Sequence, residues 1–281
     1  MAARTRSLLS LRGMNMRKSL GIFIILFFCL SSVPALEMPS ACPEHYWRGQ
    51  APDLGNAMST GRVQEICYEG YAVIYSDTTE TPLTSAEYLT REHLEEHHPR
   101  RSDDFHPDTH IPWQCRSELS DYRHSGYDRG HMASAGDMWD EVSDFQSFSL
   151  ANMIPQNPDD NRHLWEGIEA AARYLAERDG SLYVLTGPIF YGHGPQRLDG
   201  RVLVPTYIFK AIYDPRKHAA AAYLARNTPG VRYAVISIRK LDSLNGLSVF
   251  PGLPENVRML RLPKPEIWGN LASTQDQSIV P

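Results

Sequence analysis

The run Asn161–Arg178, NRHLWEGIEAAARYLAER, constrains this chain more than any other stretch. It is an uninterrupted helix-forming segment in which Asn161, Trp165, Glu169 and Arg173 recur at steps of four, so all four fall on nearly one face. The tryptophan can pack inward. An amide, a carboxylate and a guanidinium stacked over three turns cannot, and amphipathic helices ordinarily leave such groups in water. Their natural counterparts are a hard cation and a phosphate. Mg²⁺ takes one or two protein oxygens and keeps most of its waters, which makes Asn161 a candidate metal ligand and Glu169 a holder of those waters. Arg173 offers a fork that fits a phosphate. The bland alternatives are an Asn161 N-cap and an ordinary surface pair between Glu169 and Arg173.

Upstream lies YRHSGYDRGHM (Tyr122–Met132), with Asp128-Arg129-Gly130-His131 at its centre. Histidine titrates near neutrality, so His131 suits a general base acting on water. Arg129 suits a phosphate contact and Asp128 a brace for a neighbour. Gly130 marks a close backbone approach or a positive φ. Asn152 and Gln156 flank Pro155 at a turn, where their amides either hold the helix or touch substrate. Asp128–His131 followed by N-x3-Q-x4-N-x3-W-x3-E-x3-R, from Asn152 to Arg173, resembles the sugar-non-specific DNA/RNA endonucleases of the ββα-metal (His-Me finger) superfamily, which include mitochondrial endonuclease G and secreted bacterial nucleases. The likeness is good from Tyr71 to about Asp214 and weaker beyond.

That resemblance implies an α+β fold with a mostly antiparallel central sheet flanked by helices. It implies sequence-independent hydrolysis of DNA and RNA to 5′-phosphorylated products, with Mg²⁺, or Mn²⁺ or another divalent cation in its place. Asn161 would hold the metal and His131 would deprotonate water, with Arg129, Glu169 and Arg173 as further catalytic residues. Asn152, Gln156 and Trp165 would meet substrate, and so would Arg100 or its neighbour Arg101, in place of the family's phosphate-contacting arginine. Homodimers occur in the family.

The first 35 residues are a separate unit. Arg4, Arg6, Arg12, Arg17 and Lys18 precede the apolar run Leu20–Leu30, and Val33-Pro34-Ala35 is a small-residue cleavage pattern. This predicts a secretory signal peptide cleaved after Ala35, a secreted or periplasmic protein and no lasting membrane association. Met14 and Met16 are alternative starts. Without the five basic residues of that segment, 23 Lys and Arg face 33 Asp and Glu, a net charge of −10. Such a chain does not track nucleic acid by bulk electrostatics, although a local basic site with a metal still serves hydrolysis. In an oxidising compartment Cys42 and Cys67 are expected to pair, leaving Cys115 over.

Residues 36–65 read as an irregular arm, 66–265 as one domain, and 266–281 as a polar, disordered tail. Ile66–Ser76 alternates like one strand, and Thr84–His97 has helical periodicity, although the family has a strand leading to a short helix there. The acidic stretch Met132–Ser149 reads as a solvated loop. Strands are expected at Ser181–Gly187, at Pro205–Tyr213 and Ala219–Arg226 paired across Asp214-Pro215, and at Val231–Ile238, with Lys210 open to the cleft. Two rival readings stand beside the nuclease. His93-x-x-Glu96-His97 matches an inverted zinc-peptidase signature, which an exposed His- and Glu-rich helix also produces by chance. An inactive nucleic-acid-binding protein is the other.

Overall fold

The structure, a computed structural model, describes residues 40–55, 61–96, 99–192, 194–267 and 271–281. The segment read as a signal peptide and His97 of the zinc signature lie outside the described residues. In chain order the strands are β1 (Val63–Cys67), β2 (Ala72–Ser76), β3 (Thr81–Thr90), β4 (Asp128–His131), β5 (Met153–Gln156), β6 (Ser181–Ile189), β7 (Arg197–Leu198), β8 (Val202–Leu203), β9 (Tyr207–Asp214), β10 (Ala219–Arg226), β11 (Arg232–Ile236), β12 (Arg258–Met259) and β13 (Thr274–Gln275). The helices are α1 (Arg91–Glu95), α2 (Leu119–Tyr122), α3 (Glu141–Ser147), α4 (Glu166–Asp179) and α5 (Ile238–Asn245).

The expected strands Ser181–Gly187, Pro205–Tyr213 and Ala219–Arg226 form the middle of one sheet, ordered β1-β2-β3-β6-β9-β10-β11-β13. Its pairs are antiparallel, apart from β12 beside β10 and β13 beside β11. Both faces of the central strands are buried, which is why these segments are apolar throughout rather than alternating. On one face Ile168, Ala172, Leu175 and Ala176 of α4 pack onto Val184, Ile208, Ile212 and Tyr223. On the other lie Tyr46 of the arm, Leu241 of α5, and Leu247, Val249 and Phe250 of the segment that follows α5. The arm is anchored by a Cys42–Cys67 disulfide and by Glu65, which accepts from Ser40 Oγ at 2.6 Å and Ala41 N at 2.8 Å.

Four sequence expectations are corrected. Ile66–Ser76 is not one strand but most of a hairpin, its turn closed by Tyr68 N donating to Tyr71 O at 2.9 Å. Thr84–Thr90 is strand, not helix, because β3 pairs with β2 on one side and β6 on the other. Two ladders outweigh the weak helical preference of the segment. The helix begins at Arg91, where Thr90 Oγ1 accepts from His93 N at 3.2 Å. The acidic loop contains α3, capped by Asp140 accepting from Ser143 N at 2.7 Å, and buries Asp137 and Asp144. Residues 271–281, polar in composition, add β13 to the sheet and seat Ile279 in the core. One apolar side chain anchors what composition alone reads as a tail. Truncating it leaves a cavity, so Ile279→Ala should cost about 2–4 kcal/mol of stability in a denaturant titration. An unchanged midpoint would mean that the C-terminal segment is not docked.

Candidate active site

The antiparallel ribbon β4–β5 leads into α4, a ββα unit standing on the sheet face that α4 covers. Gly130 is required by packing rather than by φ. A Cβ there would lie 2.5 Å from Gln156 Cβ and closer still to its amide oxygen, so any other residue displaces Gln156. Gln156 Nε2 donates to Asp160 Oδ2 at 2.8 Å, and burial pushes the Asp160 carboxyl up to about 7. The ribbon is thereby tied to the start of the helix.

That start is not α-helical. Asp160–Trp165 winds as a π-turn before α4 continues. The wider turn breaks the step of four, so the residues reaching the pocket are Asn161, Glu166, Glu169 and Arg173, while Trp165 is 1 % exposed in the core. Insertions of this kind are common at functional sites.

Asp128 fixes Asn161. Its Oδ2 accepts from Asn161 Nδ2 at 3.0 Å, and both carboxylate oxygens are gripped by Arg162 at 2.8 and 2.6 Å. With the amide nitrogen so engaged, the Asn161 oxygen is the atom left to face a cation. Asp128 itself, neutralised by the guanidinium, is not needed as a ligand. Among the described residues no group of three His, Cys, Asp or Glu side chains converges as a metal site. A single oriented amide oxygen beside Glu169 therefore suits a hard cation that keeps its waters, and not zinc, which wants three or four N or S ligands.

The pocket, about 360 Å³, is also lined by Arg101, Phe105, Arg129, His131 and Ser134. His131 lies 4.9 Å from the Phe148 ring and 5.7 Å from Phe105. Arg129 sits 4.1 Å over Phe105 and Arg101 4.7 Å over Phe148. Burial first, then the two guanidiniums, holds the imidazole down at about 3, so it is neutral at physiological pH. Its Nε2 is buried and has no hydrogen-bond partner. Burial raises the Glu169 carboxyl to about 7 against the pull of Lys210 and Arg173. Glu169 accepts from Ser134 Oγ at 3.1 Å, and Arg173 donates to Asp137 at 2.7 Å.

Residues 52–256 match the DNA/RNA non-specific endonuclease family over most of the chain. The chain belongs to that family. It is 30% identical to mitochondrial nuclease 1 of Schizosaccharomyces pombe, over 67% of this chain and 66% of that protein. It therefore spans about two thirds of that relative's length. It is 29% identical to mitochondrial endonuclease G of Bos taurus, over 80% of this chain and 83% of that protein. The crystal structure of an EndoG/EndoGI complex is similar at a TM-score of 0.59 and 28% identity, covering 69% of this chain and 88% of that chain.

For this endonuclease-family chain, the structure gathers His131, Arg129, Asn161, Glu169 and Arg173 around one pocket. Other expectations move. Asn152 is fully buried, accepting from Ser85 Oγ and Ala133 N and donating to Ala133 O and Ser147 O. It holds the loop after His131 and cannot reach substrate, and Gln156 and Trp165 likewise lie behind the pocket. Arg101 lines the pocket and Arg100 does not. Lys210 is buried in the sheet, not open to the cleft. His93 stacks on Trp139 at 4.0 Å. Sequence reading missed Phe105 and Phe148, which no spacing links to His131, and Asp137, the partner of Arg173. Arg162, next to Asn161, carried a signal in its position alone. Removing the Asp128 clamp should release the Asn161 amide: Asp128→Ala is expected to bind Mg²⁺ about 10–100-fold more weakly by calorimetry, as loss of an orienting partner does. Unaltered affinity would remove Asp128 from that role.

Proposed function

We propose that this chain is an exported, Mg²⁺-dependent endonuclease that hydrolyses phosphodiesters of DNA and RNA without reading sequence, leaving 5′-phosphates. The observation that carries it is one pocket shared by a neutral, desolvated His131, an Asp128-oriented Asn161 amide and three arginines. Family membership and the nuclease names of its relatives support the same reading. The basic, then apolar, leader and the Cys42–Cys67 disulfide support an oxidising destination. N-terminal sequencing of the mature protein should find Leu36 first.

In this mechanism His131 takes a proton from the water that attacks phosphorus, and its low basicity is offset by always being in the accepting form. Asn161, with Glu169 behind it, would hold Mg²⁺, which supplies Lewis-acid neutralisation of phosphate charge. Arg101 and Arg129 hold the phosphate and stabilise the charge that builds on it. Phe105 and Phe148 keep both guanidiniums in place by their ring faces. The pocket is lined mainly by charged side chains, which suits phosphate contact and fits sequence-independent cutting.

Purified protein should degrade both closed-circular DNA and total RNA with Mg²⁺ and neither with EDTA, while His131→Ala loses about 10²–10⁴-fold as a missing general base does. Binding without cleavage, or full activity in the variant, refutes the reading.

The pH dependence follows from two opposite shifts. His131 is depressed to about 3 and stays a competent base as pH falls. Glu169 is raised to about 7 and loses its charge as pH falls through that value. The acid limb of kcat/KM therefore belongs to Glu169, and rising Mg²⁺, which competes with the proton, should move it to lower pH. Glu169→Gln should be slower and flat from about pH 7 down to about pH 5. A variant that keeps the wild-type limb would assign it to another group.

A further inference from the structure

The sheet face beneath α4 is apolar except at a few buried polar positions of β3, β6 and β9. Ser85 of β3 pairs with Thr186 of β6, and Thr186 pairs with Lys210 of β9, so the three are direct cross-strand neighbours. All are fully buried, as is Glu87, two residues further along β3 on the same face. A lysine and a glutamate wholly out of water are rare, because each must be stripped of its hydration.

The row has a common target. Lys210 Nζ donates to Thr186 Oγ1 at 2.8 Å and to Met132 O at 3.5 Å, and lies 3.7 Å from Glu87 Oε2. Ser85 Oγ donates to Asn152 at 2.9 Å, and Asn152 in turn holds the N–H and C=O of Ala133 at 2.9 and 2.8 Å. Met132 and Ala133 are the two residues after His131. Ser134, the next, donates to Glu169 at 3.1 Å. The strand that presents the imidazole is thus suspended from the sheet by the same polar row whose ammonium pulls on the Glu169 carboxylate.

Stability alone does not account for this arrangement. Apolar residues of similar volume usually replace a buried ion pair at no loss, or with a gain. Removing only one partner strands a charge. No donor side chain reaches Glu87 within hydrogen-bonding distance, and burial, followed by its close carboxyl contact with Asp137, pushes its carboxyl well above the usual range against the pull of Lys210.

We propose that Lys210, paired with Glu87, is a positioning residue that fixes the backbone behind His131 and the side chain of Glu169 for phosphodiester hydrolysis. The proposal rests on the nuclease reading above. Neither residue touches the pocket; both act through Met132 and Glu169.

The test uses the full chain as Glu87→Gln/Lys210→Met, which removes both ionisable groups together and keeps side-chain volume. Thermal unfolding, kcat and KM on duplex DNA with Mg²⁺, and the His131 ring resonances of the metal-free protein are measured beside wild type and His131→Ala. The expected result is a Tm at or above that of wild type, an unchanged KM, kcat lowered by about tenfold or more, and displaced His131 resonances. A kcat within about twofold of wild type at retained Tm, or unmoved resonances, overturns the proposal and leaves the pair as structure only. Should the double variant not fold, Thr186→Val removes the nearest acceptor of Lys210 without changing charge. It should lower kcat by about threefold or more at constant KM, and a wild-type kcat there is equally fatal. A wild-type protein that cuts nothing refutes the nuclease reading itself, and the proposal with it, which the active wild-type control keeps separate from failure of the proposal alone.

Discussion

A single carboxylate sets the geometry of the pocket. Asp128 opens β4, and its two oxygens serve Arg162 and Asn161 at once. An asparagine amide has two nearly equal ends, and only the partner of one end decides which way the other points. Arg162 makes the arrangement affordable by balancing the charge that would otherwise compete for the cation. The ribbon can present Asp128 here because Gly130 lets Gln156 lie flat across it, and Gln156 holds Asp160 at the head of the π-turn.

Around His131 the chain solves a different problem. A histidine among arginines and phenylalanines is a poor proton acceptor in equilibrium terms and stays neutral at physiological pH. The phenylalanines exclude water from one side, and the guanidiniums above them bring positive charge to a protein whose acidic residues outnumber its basic ones. Local charge thus stands in for a basic surface.

Much of this was legible in the sequence. Asp128–His131 and the spaced Asn161, Glu169 and Arg173 converge as their types and order suggest, and the four apolar runs after Gly180 all became strands of the sheet. What was not legible depends on partners distant in the chain. The step of four at Trp165 fails because the π-turn inserts a residue, and nothing in DNRHLW announces it. Thr84–Thr90 reads as helix until β2 and β6 are beside it. Asn152 and Lys210 look available for substrate because a lone polar residue carries no mark of burial. Phe105 and Phe148 reach His131 only through tertiary folding.

The arm and the C-terminal segment have a shared consequence at the sheet's two margins. An open sheet of this size exposes unpaired backbone at each end, a template on which further chains can add. At one end the Glu65 side chain of β1 accepts from Ser40 and Ala41, and the Cys42–Cys67 bridge ties the arm to the same strand. At the other, β13 is two residues long and lies parallel to β11, too short to continue the ladder. The segments that lock the core therefore also stand at the sheet's two margins, and only one of them is held by a covalent bridge that reduction would open.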